Sequence, residues 1–250
     1  MKTAPELGKH DILPCEHRIW DFKSFELAIQ RTKQGWFIKI LDDKEASQDK
    51  IPDFSTAEYY QTGNSNTLLL VPSFPPKPLV FKGSQLHLAP RQELSFFLKI
   101  PLFINIYYLR KKPENLLREI PVQNLSNTWF GETDNGEPAF LLGGDYYLSP
   151  AETEFHSYEA LCPVTINNNW TGVLQIERMI ILVDNLMIYE NNGKNITSVV
   201  SLEYKGKDVT SSAEYHYSKA LHGEKAKMIA KARNSSKTRL KMNFHFLKNR

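Results

Sequence analysis

Short apolar segments with a period of two, each ended by a turn residue, recur along the chain of 250 residues. A period of two places alternate side chains on opposite faces of a β-strand, whereas an amphipathic helix has a period near 3.6 residues. Residues 239–246 (RLKMNFHF) show the pattern most clearly, because apolar and polar side chains alternate strictly there. About fifteen such segments, with turn signals every 8–12 residues, predict an all-β protein of β-sandwich architecture.

Glycine-containing turns predict how the strands are connected. Asn192-Gly193 predicts a turn after the apolar run at 186–190, and Gly143-Gly144 suits a type I′ turn, which needs positive φ at both positions. Two further segments are ambiguous: residues 55–61 are part of a long loop or form a weak helix, and residues 212–232 form a helix or a strand. Hairpins are predicted at four places between apolar runs, namely residues 31–35, 143–144, 168–172 and 205–207.

The chain is long enough for one large domain or two modest ones, at about 100–200 residues per domain. The polar segment 149–155 contains Pro150 and is the best candidate boundary. It predicts an N-terminal β domain at 1–150, with a long loop at 42–66, and a C-terminal domain at 151–250. The second domain has the length and strand number of an immunoglobulin-like antiparallel sandwich, without the Cys…Trp…Cys pattern. The prediction is therefore two immunoglobulin-like sandwich domains.

The composition is that of a globular protein, with 41% hydrophobic and 24% charged residues. No apolar run approaches the roughly 18 residues that span a bilayer, and the first residues contain no apolar core of a signal peptide. We therefore expect a cytoplasmic protein. Its only cysteines, Cys15 and Cys162, are expected to be reduced thiols, with Cys162 buried in the core.

The net charge of +3 is unevenly distributed. Residues 224–250 contain nine basic residues and one acidic residue, a charge of +8 that leaves −5 on residues 1–223. A basic C-terminal hairpin could bind nucleic acid or an anionic membrane. However, its polar face lacks aromatic side chains for base stacking, and edge lysines also prevent aggregation, which is the interpretation we favour. The candidate anion-binding residues are Lys225, Lys227, Lys231, Arg233, Arg239 and Lys241.

Several short motifs occur in a characteristic order along most of the chain. They are PLVFKG at 78–83, LAPRQE at 88–93, WFGE at 129–132 followed by Gly136-Glu137, ALCPV at 160–164 leading into Ile166-Asn167, LQIER at 174–178 and MIY at 187–189. Together they resemble the prokaryotic family known as the domain of unknown function 432 family. The resemblance covers residues 25–215 and implies a cytoplasmic protein, without an activity that could be transferred. The lysine-rich end has no counterpart in it.

The loop at 129–137 is the strongest candidate site in the sequence. It places Glu132, Asp134 and Glu137 beside Trp129 and Phe130. Such carboxylates can bind calcium or act as acid and base on a glycosidic bond, and aromatic rings stack on sugars. The order of residues differs from the EF-hand calcium loop. The interpretation we favour for the loop is a solvated turn whose two aromatic side chains fill the core, with ligand binding as the alternative.

Other chemistry-bearing patterns are weak. No nucleotide-binding loop, nucleophile elbow or H-E-x-x-H motif occurs. The cluster of His10, Asp11, Cys15 and His17 matches no familiar zinc spacing, so we expect a polar terminal segment there and no metal.

We therefore predict a non-catalytic binding or scaffolding protein with no cofactor, whose candidate ligand-binding residues are Trp129, Glu132, Asp134 and Glu137. The first alternative is a carbohydrate-binding or glycoside-hydrolase-like module that uses the same loop. The second is an electrostatic binder of nucleic acid or anionic membrane. A protein partner and a small ligand both remain open, with nucleic acid and membrane ranked below them. No pattern specifies an oligomeric state.

Overall fold

A computed structural model describes residues 2–3, 5–41, 52–82, 86–131, 134, 136–152, 154, 156–206, 211–234 and 239–242. Its strands are β1 Lys2–Thr3, β2 Gly8–Asp11, β3 His17–Asp21, β4 Glu26–Arg31, β5 Gly35–Leu41, β6 Glu58–Gln61, β7 Thr67–Ser73, β8 Leu79–Phe81, β9 Leu86–Leu88, β10 Glu93–Pro101, β11 Phe103–Tyr108, β12 Leu116–Pro121, β13 Asn127–Phe130, β14 Glu137–Leu142, β15 Glu159–Asn168, β16 Leu174–Ile176, β17 Met179–Ile181, β18 Ile188–Asn191, β19 Lys194–Thr197, β20 Val199–Tyr204, β21 Ser211–His216, β22 Lys227–Ala230 and β23 Arg239–Met242. The helices are α1 Lys219–His222 and three 3-10 turns at Pro113–Asn115, Pro150–Glu152 and Val183–Asn185.

The prediction of an all-β protein is confirmed. Strands dominate every part of the chain that is described, and α1 has only four residues. No helix among these residues is both long enough and apolar enough to cross a bilayer. The sandwich architecture and the likeness to immunoglobulin domains stay predictions.

Two compact units are formed, one from Met1–Ser73 with Leu102–Gln123 and the other from Phe74–Pro101 with Asn124–Arg250. The chain therefore enters the second unit, returns to the first and leaves it again. This division does not coincide with the boundary expected at 149–155. Local composition reveals a linker between consecutive domains, but it carries no signal for segments that alternate between two units.

The first unit contains a five-stranded sheet in the order β1-β3-β4-β5-β6 and a four-stranded sheet in the order β12-β11-β7-β2. The hairpin predicted at 31–35 is confirmed, since β4 and β5 pair antiparallel with Arg31 opposite Trp36. The predicted long loop at 42–66 and the alternative of a weak helix at 55–61 are both wrong at 58–61, because Glu58–Gln61 forms β6 on the edge of the same sheet. Of the predicted loop at 42–66, residues 42–51 lie outside the described part.

The second unit contains an eight-stranded sheet, a four-stranded sheet in the order β13-β14-β8-β17, and the pair β16-β9. Two hairpin predictions are wrong here. After Gly143-Gly144 the chain does not pair back on β14, whose partners are β13 and β8, and only Gly144 has positive φ. After 168–172, β16 pairs with β9 and not with β15. Long-range pairing thus overrides these local turn signals.

Two other turn predictions in this unit are confirmed. Asn192 and Gly193 have φ values of 52° and 76° and connect β18 to β19, which pair antiparallel. The strands β20 and β21, on either side of the predicted turn at 205–207, also pair antiparallel.

The eight-stranded sheet is mixed, with both parallel and antiparallel pairs. Its strands lie side by side in five rows, and three of these rows contain two strands placed end to end. The ladder with β10 occupies one edge of β15 from Glu159 to Asn167, so β19 and β20 must share the other edge. Both are parallel to β15, which corrects the prediction of purely antiparallel sheets. Antiparallel pairing places β18 and β21 in the next row, followed by β22 and β23 in the outermost row. Both outermost strands run in the same direction and do not form the predicted basic hairpin.

Candidate functional site

The candidate loop at 129–137 connects the two strands of a hairpin. Antiparallel pairing of β13 and β14 places Trp129 opposite Pro138 and Phe130 opposite Glu137. Asp134 is exposed in the turn and Glu137 is exposed at the start of β14. Glu132 lies outside the described residues, so its predicted part in a ligand-binding site stays a prediction.

The two aromatic side chains of the motif lie on opposite faces of the hairpin. Phe130 is 8% exposed and packs in a small apolar cluster with Val80, Ala139 and Ile180. Trp129 points to the other face and is 43% exposed. The interpretation that both rings fill the core therefore holds for Phe130 and fails for Trp129, because adjacent residues of a strand face opposite ways.

Five residues define what we call the stacking face, on the same side of the hairpin as Trp129. Leu141 donates its backbone N–H to Ser126 O, so these two residues form a hydrogen-bonded pair of the antiparallel ladder. Hydrogen-bonded and non-hydrogen-bonded pairs alternate along such a ladder, which makes Trp129 and Pro138 a non-hydrogen-bonded pair. The side chains of a non-hydrogen-bonded pair lie close together. Phe140 is opposite Asn127 on that face. Lys77 donates from Nζ to Asn127 Oδ1 at 2.7 Å and lies 4.9 Å from the centroid of the Phe140 ring. The stacking face is Lys77, Asn127, Trp129, Pro138 and Phe140.

Arg178 holds the edge strand that carries Trp129. Its Nη2 donates to the carbonyl oxygen of Trp129 at 2.7 Å, and its guanidinium lies 5.8 Å from the centroid of the Phe130 ring. Strand β13 is the terminal strand of its sheet. The contacts of Arg178 therefore immobilise the backbone of Trp129 at an edge where only one neighbouring strand supports it.

The carboxyl group of Glu137 is partly buried and lies near the carboxylate of Asp184. Partial burial and the negative charge of Asp184 raise the pKa of Glu137 above its usual value. Asp184 itself forms an ion pair with Arg233, with 2.6 Å between Oδ1 and Nε. Arg233 also donates to the backbone carbonyls of Phe74 and Pro75. Arg233, predicted as an anion-binding residue, thus makes internal contacts that hold the chain together.

The remaining predicted anion-binding residues lie along the outermost row of the eight-stranded sheet. Lys225, Lys227 and Lys231 are exposed in and around β22, and Arg239 and Lys241 belong to β23, whose side chains are outside the description. Because β22 and β23 follow one another along this row, their basic residues share one edge of the sheet. Exposed lysines at this edge fit the predicted protection against aggregation.

The terminal cluster of His10, Asp11, Cys15 and His17 does not converge. Throughout the described ranges, no three His, Cys, Asp or Glu side chains come close enough together to hold a metal ion. His10 is buried, and its Nε2 is 2.8 Å from the carbonyl oxygen of Glu6. Asp11 accepts a hydrogen bond from the Thr67 hydroxyl, which lowers the pKa of its carboxyl group.

The two cysteines have opposite environments, which gives a direct test. Cys15 is exposed, whereas Cys162 is fully buried, as the sequence predicts. Burial raises the pKa of the Cys162 thiol to about 12, so it stays protonated at about pH 8. Iodoacetamide followed by mass spectrometry should label one cysteine per native chain and two per denatured chain, and Cys15→Ser should abolish native labelling. Rapid labelling of Cys162 in the native protein would contradict this structure.

The sequence alone indicates Trp129 as a candidate site residue but not its neighbours on the stacking face. Pro138 and Phe140 lie within or just after the motif, and their alternation with buried Ala139 is a signal that could have been used. Lys77 and Arg178 are about 50 residues away along the chain, and only the pairing of β13, β14, β8 and β17 brings them here.

Comparison with known proteins agrees with the motifs. The family model described as "Protein of unknown function (DUF432)" matches residues 7–248, nearly the whole chain. No curated protein and no solved structure matches significantly. The match includes both compact units, the hairpin that carries Trp129 and the basic end that the motifs alone left unassigned. This chain belongs to the DUF432 family of proteins of unknown function.

Proposed function

We propose that this protein is a non-catalytic binding protein and that the stacking face is its contact surface. The exposure of Trp129 is the observation that carries this proposal. A tryptophan side chain can bury about 150–250 Å² of surface on binding, and tryptophan is enriched among the residues that dominate binding energy. Here Trp129 is 43% exposed on a regular strand, although the next residue of that strand, Phe130, is almost completely buried.

The surroundings of Trp129 support a binding role because they are ordered before any ligand arrives. Arg178 holds the Trp129 backbone, and Lys77 is held by Asn127 and the Phe140 ring. A contact surface that is already ordered loses less conformational entropy on binding. Such preorganisation on strands is what a binding site requires.

The cytoplasmic location belongs to the same proposal. Both cysteines are free, and Cys15 is an exposed thiol. An exposed free thiol suits a reducing compartment better than an oxidising one.

Titration calorimetry with probes of three chemical classes tests the proposal. The probes are neutral hexasaccharides, a twelve-nucleotide oligothymidylate and a decaproline peptide. If one of them binds, Trp129→Ala should weaken binding at least about tenfold, the effect of losing about 1.4 kcal/mol at a hot spot. The matched control is Tyr59→Ala, since Tyr59 is 47% exposed in the other unit.

Both variants should melt within a few degrees of the parent protein, because replacing exposed side chains rarely costs more than about 0.5 kcal/mol. Equal binding by the parent protein and Trp129→Ala would contradict the proposal. Binding of no probe at all would contradict it as well.

A further inference from the structure

We infer that the ligand of the stacking face is a neutral oligosaccharide, an inference that rests on the proposed function and names its ligand class. Sugar rings have flat C–H faces and a rim of hydroxyl groups. The stacking face offers the matching arrangement, with apolar rings in the middle and hydrogen-bonding groups beside them.

The apolar part of the face is a continuous strip. Trp129 and Pro138 are directly opposite each other, and Phe140 lies diagonally from Trp129, at a spacing of about 7–8 Å for such pairs. Phe140 is half-buried and the exposure of the side chains increases towards Trp129. The strip can therefore contact more than one sugar ring, with Trp129 as the main stacking residue.

The polar part of the face lies beside Phe140. Asn127 accepts a hydrogen bond from Lys77 through Oδ1, so its amide orientation is set and Nδ2 is directed away from Lys77. Lys77 has three N–H donors, of which this bond uses one. Together the amide of Asn127 and the ammonium group of Lys77 supply donors for the oxygens of adjacent hydroxyl groups on a sugar.

Charge distinguishes a neutral ligand from a polyanion. The described charged groups on and around the hairpin are three positive ones, Lys77, Arg178 and Arg233, and three negative ones, Asp134, Glu137 and Asp184. They cancel formally, and Arg178 is already used by the Trp129 carbonyl. A nucleic acid binds mainly by neutralising several phosphates with free Lys and Arg side chains, which this face does not supply.

Shape distinguishes a sugar from a proline-rich peptide. Such peptides dock in grooves between aromatic side chains. Here Pro138 occupies the position across from Trp129, so the space between strands is filled by the protein's own proline. A strip of apolar side chains on the outer face of a hairpin suits the face of a sugar ring.

The experiment titrates the full chain with cellohexaose, maltohexaose and chitohexaose, and in parallel with the oligothymidylate and decaproline. We expect at least one neutral hexasaccharide to bind, and Trp129→Ala to weaken that binding at least about tenfold. Lys77→Met and Asn127→Ala should each weaken it about threefold to tenfold, the effect of one hydrogen bond. Tyr59→Ala should bind as the parent protein does.

Raising the salt concentration from 50 to 200 mM separates the ligand classes. Binding of a neutral sugar should change less than about twofold, whereas a polyanion that contacts several phosphates loses orders of magnitude. If only the oligonucleotide or the peptide binds through Trp129, the sugar assignment is overturned while the proposed function stands. If no probe binds, both are overturned.

Discussion

Deletion of residues 224–250 should leave the second unit misfolded or aggregated, with a melting temperature at least about 10 °C lower. The deletion removes β22 and β23, which pair with β18 and β21, together with the Arg233 contacts to Asp184, Phe74 and Pro75. It would expose the edges of two strands whose side chains belong to the core, among them Ile188 and Tyr215. Exposed apolar edges pair with other chains.

Thermal unfolding by circular dichroism and light scattering after size-exclusion chromatography would measure this effect. The matched control replaces Lys225, Lys227 and Lys231 by glutamine in the full chain. It removes three positive charges that are exposed and should change the melting temperature by no more than about 2 °C. A truncated protein that remains folded and monomeric would show that the basic end is an appendage of the sheet.

Arg31→Met should destabilise the protein by about 2–4 kcal/mol, which lowers the melting temperature by roughly 5–10 °C. Arg31 is 1% exposed, and its guanidinium lies 4.9 Å from the centroid of the Trp36 ring. It donates to the carbonyls of Thr32, Gly35 and Gly63 and to the side chain of Asn66. Methionine fills similar space but donates no hydrogen bond, so the carbonyls of Thr32, Gly35 and Gly63 would each lose one donor.

Arg31→Lys is the informative companion variant. Lysine keeps the positive charge but lacks the planar fork, so it can replace only part of the hydrogen bonds. Its stability should lie between those of the parent protein and Arg31→Met, as measured by urea unfolding. Parent-like stability of Arg31→Met would show that these hydrogen bonds contribute little to the first unit.

The period of two predicts the fold class because strand periodicity is a local property. The same holds for Asn192-Gly193, where two residues of positive φ are sufficient to join neighbouring strands. Gly143-Gly144 has similar residues but a different outcome, because β14 obtains its partners from β13 and the distant β8. Pairing between distant strands leaves no pattern in a single sequence, and this is why the sheets and the two units were not predictable.

The same difference applies to the candidate site: a local pattern indicates some of its features, and others depend on the pairing of strands. Trp129 is conspicuous in the sequence because it stands in a motif with glycines and acids. The sequence cannot distinguish its exposed position from the buried position of Phe130 until the register of β13 on β14 is known. The burial of Arg31 was not predicted for a related reason, because a basic residue in a polar turn usually faces solvent.

A nitrogen–proton correlation spectrum of the tryptophan indole groups tests the central claim most directly. The chain has four tryptophans, and Trp129 is more exposed than Trp20 and Trp36, which are 1% and 0% exposed. Trp129→Phe identifies the signal of Trp129 by its disappearance. During titration with the hexasaccharide that binds most tightly, that signal should shift while those of Trp20 and Trp36 stay in place. Saturating binding that leaves the Trp129 signal unchanged would contradict the assignment of the stacking face as the binding surface.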